Sequence, residues 1–318
     1  MKTEIALATY NGSLYLSELL DSILKQTKLI NRIIVRDDCS TDNTVEILLS
    51  YQKKGLPIEI ISVNKNNMGI LENFSIILSN TSADYVFLCD QDDIWLPNKA
   101  ERMINRISWF EKIYGKHIPF LVFSDMKIVD KNLQIISNSG MKYQGFYPKT
   151  FKTFKQSLIQ NIVPGCAMIV NQNLLKLALP IPKEAIVHDW WLVLVATAFG
   201  KINYIDEPLF CYRQHASNNL GASAWNIFSI GNKLKNFKQE PELIYNGFKK
   251  ALMQAEVFYE RYKSILPKKN RLDLERLLKI KNQKHLQKTI ETLKFGANKQ
   301  GLLRTLAFYF SLCVKGFN

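Results

Sequence analysis

Long apolar runs are missing where a membrane-spanning chain would place them. Met1 is followed by Lys2, Thr3, Glu4 and a short run from Ile5 to Ala8, so neither a signal peptide nor a spanning helix is expected there. Near the other end, the uncharged stretch between Arg304 and Lys315 has ten residues, against roughly 20 for a span. Cysteine is also scarce: five residues, at 39, 89, 166, 211 and 313, with no C-x-x-C pair. That excludes a zinc ribbon or dithiol motif and suits a reducing cytosol. No G-x-G-x-x-G follows the first strand pattern, which argues against a nicotinamide dehydrogenase. Internal repeats and low-complexity segments are absent as well.

At 318 residues and 47% hydrophobic content, the chain suits one large α/β domain with an appendage. Its net charge of +14 is unevenly placed. Residues 231 to 318 hold 19 Lys and Arg against 7 Asp and Glu, or +12, which leaves 23 against 21, or +2, for residues 1 to 230. The basicity belongs to the tail.

Residues 3 to 125 alternate short β-branched runs with amphipathic stretches. Thr3 to Ala8, Arg32 to Arg36, Ile58 to Val63, Tyr85 to Leu88 and Pro119 to Ser124 read as strands. Leu16, Leu19, Leu20, Ile23 and Leu24 form one apolar stripe of a helix that starts after Ser13 as its cap. Strand, helix, strand in this order predicts a largely parallel sheet, with ligands gathered at the carboxyl ends of the strands. Pro148, Pro164, Pro180, Pro182 and Pro208 interrupt the pattern from 140 to 225, and from about Ala224 it becomes helical. The expected organisation is a domain over 1–225, divided into halves 1–125 and 126–225, and a basic helical extension over 226–318.

The clusters that follow the strands carry the chemistry. Ala8, Thr9, Tyr10, Asn11 and Gly12 end the first strand, and Asp37, Asp38, Cys39, Ser40, Thr41 and Asp42 end the second. A tyrosine can stack on a planar base while a carboxylate accepts from an imide N–H or a ribose hydroxyl, so the pair suits uridine or thymidine. Turn formation and capping by Ser40, Thr41 and Asp42 is the competing reading. The fourth strand runs into Asp90, Gln91, Asp92 and Asp93, crowded acids whose repulsion a hard divalent cation relieves; a solvated acidic turn is the alternative.

The set A-T-Y-N-G, D-D-C-S-T-D-N-T, N-M-G with Asn73 four residues on, and D-Q-D resembles family 2 inverting glycosyltransferases of the GT-A fold. The resemblance implies a Rossmann-like, mostly parallel sheet flanked by helices. It implies that Tyr10 and Asp38 hold the nucleobase, that Asn67 and Gly69 border the donor loop, and that Asp90 contacts the ribose while Asp92 ligates Mg²⁺ or Mn²⁺. Ala8, Thr9, Asn11, Asn73 and Gln91 fall in the same donor-binding set, with Asp37 and Asp93 as supporting neighbours. His188, Asp189, Trp190 and Trp191 stand where the family has its catalytic acid motif, which makes Asp189 the general base and the other three acceptor-side residues. H-D-W-W is the variant of rhamnosyltransferase-like members and turns the expected donor toward thymidine diphosphate rhamnose, with uridine diphosphate hexoses or N-acetylhexosamines as the alternative. Core packing of the two tryptophans, with Asp189 as a helix cap, is the bland reading. Arg213 corresponds to a diphosphate-binding arginine and His215 to a late metal ligand. Gly165 and Cys166 would shape the acceptor floor; His117 and His285 stand outside any motif.

The implied partners are a nucleotide diphosphate sugar and a glycan or polyprenyl-diphosphate-linked acceptor of a surface polysaccharide, with no nucleic acid. The basic tail and its apolar end predict attachment to the anionic inner face of the cell membrane. The alternative is that Leu302, Leu306, Phe310 and Val314 dock onto the catalytic domain or a second subunit. A rival of another class is a module that binds nucleotide or membrane and has lost catalysis.

Overall fold

The computed structural model describes residues 1–61, 66–215, 240–281, 283 and 285–315. The first half alternates β1 (Thr3–Thr9), α1 (Leu16–Leu24), β2 (Arg32–Asp37), α2 (Thr44–Lys53), β3 (Ile58–Ile60), α3 (Gly69–Ser79) and β4 (Tyr85–Cys89). Next come β5 (Ile94–Trp95), α4 (Lys99–Tyr114), β6 (Phe120–Val129), β7 (Ile135–Ser137), α5 (Gly140–Tyr143), α6 (Phe154–Ser157), β8 (Met168–Asn171), α7 (Gln172–Ala178), α8 (His188–Phe199) and β9 (Lys201–Arg213). Four helices follow: α9 (Glu240–Tyr262), α10 (Lys268–Lys281), α11 (His285–Phe295) and α12 (Leu302–Lys315).

One sheet runs β3-β2-β1-β4-β8-β6-β9-β5, with β7 on β6. β1 to β4 are mutually parallel, as strand–helix–strand units require. β8 lies antiparallel between β4 and β6 and joins the two halves into one sheet. β1, β2 and β4 are buried on both faces, with β4 wholly apolar and the apolar middles of β1 and β2 flanked by polar ends.

Several expectations are corrected. Ser13 does not cap α1: the helix opens at Tyr15 with no side-chain cap, the carbonyl of Gly12 accepts from Tyr15 and Leu16, and the Ser13 N–H goes to Asp42. β3 is shorter than the run from 58 to 63, whose residues 62 and 63 lie outside the described residues, as does the boundary near 225. The strands β8 and β9 were hidden among the prolines.

The extension packs against residues 177–191 of the second half. On α9, Phe258 meets the Trp191 ring edge-on, Arg261 donates to the carbonyls of Leu177, Leu179 and Pro180, and Gln254 accepts from the Ile186 N–H. α12 lays Phe308, Ser311 and Leu312 inward, with Phe308 against Phe248 of α9. Its opposite arc carries Leu302, Leu303, Leu306, Phe310 and Val314, all exposed. The stripe expected to dock onto the catalytic domain is therefore the one turned away from it. No helix among the described residues is long and apolar enough to cross a membrane.

Candidate active site

The carboxyl ends of β1, β2 and β4 converge, and a lattice of hydrogen bonds shapes the loops between them. Asp37 accepts from Thr9 Oγ1 (2.8 Å), Ser40 N (2.8 Å) and Ser40 Oγ (2.6 Å), so its work is to brace two strand ends. Asn11, held at φ 47°, receives the Thr41 N–H on its side chain. Gln91 grips the Tyr10 backbone through both its amide atoms, at 2.8 and 2.9 Å. Gly12 is required beside it, because a Cβ there would collide with the Gln91 amide. Tyr10 itself is exposed, its ring available at the edge of this floor.

Asp38 lies deeper than the sequence suggested. Its oxygens accept from the Arg36 guanidinium (3.0 Å), from Met68 N (2.9 Å) and from Gly69 N (2.8 Å), at the positive end of α3. Asn73 is buried and holds Arg36 at 2.9 Å, while Asn67 bonds the Asp38 carbonyl and caps the Gly69 N–H. Asp38, Asn67, Gly69 and Asn73 thus fix the loop that enters α3. Ala8 is part-buried beside them.

Behind the acidic loop after β4 is a polar cluster that joins Asp90 and Asp93 to Cys166 and to Lys99, which no motif announced. Oxygens of Asp90 and Asp93 and the Cys166 sulfur lie within 4.8 Å of one another. Lys99, fully buried between the rings of Trp95 and Phe210, donates to the Cys166 carbonyl at 2.8 Å. Burial pushes the Asp93 carboxyl and the Cys166 thiol far up, so both keep their protons. A protonated acid and thiol beside a buried lysine make a poor cation cage, and Asp93, Cys166 and Lys99 read as the floor under the site. Asp90, on top, is raised to about 7, first by burial and then by the charge of Asp92, with Asp189 adding to it.

Asp92 and His215 do come together. Nε2 of His215 lies 2.8 Å from Asp92 Oδ2, both side chains are partly exposed, and Tyr15 packs on the imidazole. One carboxylate and one imidazole in contact, with oxygen-rich surroundings, fit Mg²⁺ or Mn²⁺. Arg213 is not on the open side. It is buried under the Tyr15 ring, and its three nitrogens hold the Asp92 carbonyl (3.0 Å), the Lys131 carbonyl (2.9 Å) and the Glu18 carboxylate. The fork that was expected on diphosphate instead sets the backbone at Asp92.

On the facing side, Asp189 lies in the first turn of α8. Asn161 Nδ2 donates to its Oδ1 and Gly165 N to its Oδ2, both at 3.1 Å, and burial still lifts its carboxyl to about 7. His188 stacks on Phe74 (centroids 3.9 Å apart), has neither ring nitrogen hydrogen-bonded, and is pushed down by burial to about 3. It is a neutral packing group. Gly165 is needed above it, since a Cβ would lie 2.7 Å from its Nε2. Trp191 is fully buried, its indole N–H on the Ala178 carbonyl, which corrects its expected place on the acceptor side. Trp190 is half-buried and bonds the Ser157 carbonyl at 2.6 Å. His117 sits under the Gly115 turn; the side chain of His285 lies outside the described residues.

A family model described as "Glycosyl transferase family 2" matches residues 4–174. The chain belongs to that family. Among curated relatives of this transferase, a dTDP-rhamnosyl transferase, RfbG of Shigella flexneri, is 30% identical over 68% of the chain and 74% of that protein. An uncharacterized glycosyltransferase of Rickettsia prowazekii is 27% identical over 80% of the chain and 73% of its own length. Among solved structures, S. aureus TarS 1-349 in complex with UDP-GlcNAc aligns with a TM-score of 0.55 and 19% identity, covering all of this chain and 89% of that one. That likeness confirms the fold: an α/β sheet of GT-A type with helices on its faces. Sequence reasoning missed Lys99, Glu18 and Asn161, which hold the Cys166 carbonyl, Arg213 and Asp189 from scattered positions.

Proposed function

We propose that the transferase moves L-rhamnose from thymidine diphosphate rhamnose to a hydroxyl of a surface glycan or lipid-linked acceptor, with inversion. The observation that carries this reading is Asp189: a carboxyl held near 7 by burial, oriented by two donors, and facing the acid loop after β4. A base with that value is half ionised at neutral pH and can accept a hydroxyl proton without holding it too weakly. Asn161 and Gly165 leave it one orientation toward the acceptor.

Across the site, Tyr10 offers its ring to the base, the Asp37 and Asp38 networks keep the donor loop shaped, and Asp90 faces the ribose. Asp92 and His215 would hold Mg²⁺ or Mn²⁺, which when bound supplies charge stabilisation for a departing diphosphate. Arg213 and Glu18 position Asp92. The relative's dTDP-rhamnosyl activity supports the donor choice. A uridine diphosphate N-acetylhexosamine is the second reading, favoured by the UDP-GlcNAc complex of TarS. The enzyme works on the cytoplasmic side, where sugar nucleotides are made.

The test is donor binding and hydrolysis over a panel of thymidine and uridine diphosphate sugars, with Mg²⁺ or Mn²⁺ and again with chelator. Selective, chelator-sensitive use of thymidine diphosphate rhamnose is expected. Selection of a uridine donor overturns the sugar assignment, and binding without any turnover, even with acceptor glycans, leaves the noncatalytic rival.

A further inference from the structure

Away from the acid loop, residues 147–160 and 296–301 enclose a cleft of about 510 Å³. No carboxylate lines it, but two lysines do. The Lys155 ammonium lies 4.5 Å from the Phe295 ring and that of Lys299 5.4 Å from Phe308. Among the described residues neither has a hydrogen-bonded or ion-paired partner. The amides around them are occupied in building the walls: Gln300 binds both backbone atoms of Tyr147, and Gln160 accepts from Gln300 N. Burial, with Arg304 nearby, lowers Lys299 to about 8, so it is still charged at neutral pH but lacks a counter-charge.

Two aromatic-backed ammoniums without an acid describe an anion site. The cleft also ends at Gly301, where α12 begins, so the positive end of a fourteen-residue helix adjoins it. Its surroundings specify the anion further. α12 leaves the cleft with an exposed apolar arc, Leu302, Leu303, Leu306 and Val314, and belongs to a segment of charge +12. A free phosphate has no use for that arc; an amphiphile does. Moreover, Gln160 on the cleft wall is followed by Asn161, the residue that holds Asp189.

The geometry points to a binding site for the phosphate or diphosphate of a membrane lipid, with Lys155 and Lys299 on the anion and the α12 arc in the lipid surface. That it serves the acceptor, presenting a lipid-linked glycan to Asp189, rests on the transferase reading above. Its anion binding does not.

The full chain, with chelator present to silence metal-dependent nucleotide binding, is tested against inorganic pyrophosphate and against phosphatidylcholine vesicles with and without phosphatidic acid. Binding to the acidic vesicles and to pyrophosphate is expected, weakened at least about tenfold for both by Lys155→Gln with Lys299→Gln. Leu302→Ser with Leu306→Ser should weaken vesicle binding alone. Thermal unfolding of each variant excludes loss of fold, and Lys155→Gln alone, which leaves the more buried lysine in place, must show part of the loss. Unchanged binding in the double lysine variant overturns the site. Lysine-dependent binding of pyrophosphate without binding to acidic vesicles overturns the lipid as its source. Donor hydrolysis by the wild-type chain reports on the transferase reading separately.

Discussion

Replacing Asp189 by Asn tests the base through stability as well as turnover. Burial holds this carboxyl at about 7 against 3.8 for the free group, and unfolding releases the constraint. The folded state therefore keeps a proton that the unfolded chain gives up. The stability tied to that proton is fully present below the unfolded value and is lost as pH rises through 7. From pH 5 to pH 8 about two of the roughly three intervening units are crossed, or about 2.6 kcal/mol at ~1.36 per unit. Partial exposure of the side chain reduces this to about 1–2 kcal/mol. Asparagine cannot ionise, so Asp189→Asn lacks that part of the pH dependence. It also loses about 1 kcal/mol at every pH, where its NH₂ faces a donor of Asn161 or Gly165. Urea unfolding of both proteins at pH 5 and pH 8 measures the difference. An identical fall in stability for variant and wild type refutes the claim that burial shifts this group. In the same pair, transfer should drop by about 10²–10⁴ with donor binding intact; near-normal turnover removes Asp189 from the reaction.

Wild-type transfer should rise with pH as Asp189 ionises around 7, and a flat profile from pH 5.5 to 8 would contradict the assignment. His215→Ala should raise the metal concentration needed for half-maximal activity, read by titrating Mn²⁺ into chelated enzyme; an unchanged requirement excludes His215 as a ligand. Arg213→Lys cannot reproduce three bonds to Asp92, Lys131 and Glu18, so it should weaken metal affinity by about 10-fold or more while leaving the ligands in place. Gly200→Ala drives a Cβ into the Pro119 carbonyl, a backbone atom that cannot swing aside. It should cost about 3 kcal/mol in denaturant unfolding with no direct effect on donor affinity.

The first half of the fold was legible because β1, β2 and β4 are buried and carry β-branched and apolar residues, with β2 and β4 running into acid clusters. β9 was not: Lys201 to Arg213 mixes charge, tyrosine and Pro208, and it becomes a strand by pairing with β6. Within the candidate site, Asp90 and Asp92 stood out as crowded acids, while Asp189 and His215 came from the family resemblance; the structure brings Asp92 and His215 into contact. What spacing could not tell was depth. Asp38, Asn73 and Arg213 look like ligands in a linear motif, yet each is buried and bonded to groups 30 to 195 residues away. Trp191 likewise belongs to the core although it adjoins a half-buried Trp190, because neighbours on a helix face different ways. Lys99 carried no signal at all, and Cys166 was named only with Gly165 as acceptor floor, since the meaning of the pair lies in a shared burial.

The antiparallel strand β8 has a consequence for anyone building chimeras of such enzymes. The nucleotide-sugar and acceptor halves expected from the sequence occupy consecutive stretches, which invites a crossover near residue 125. In space, β8 is wedged between β4, which carries the acid loop, and residues 121–123 of β6, so a second-half strand sits between two strands of the first. A junction at 125 would take β4 from one parent and β8 from the other and cut through that ladder directly beneath Asp90 and Cys166. Grafts that change the sugar should therefore carry residues 165–171 along with the first half, or exchange only the loops above the sheet.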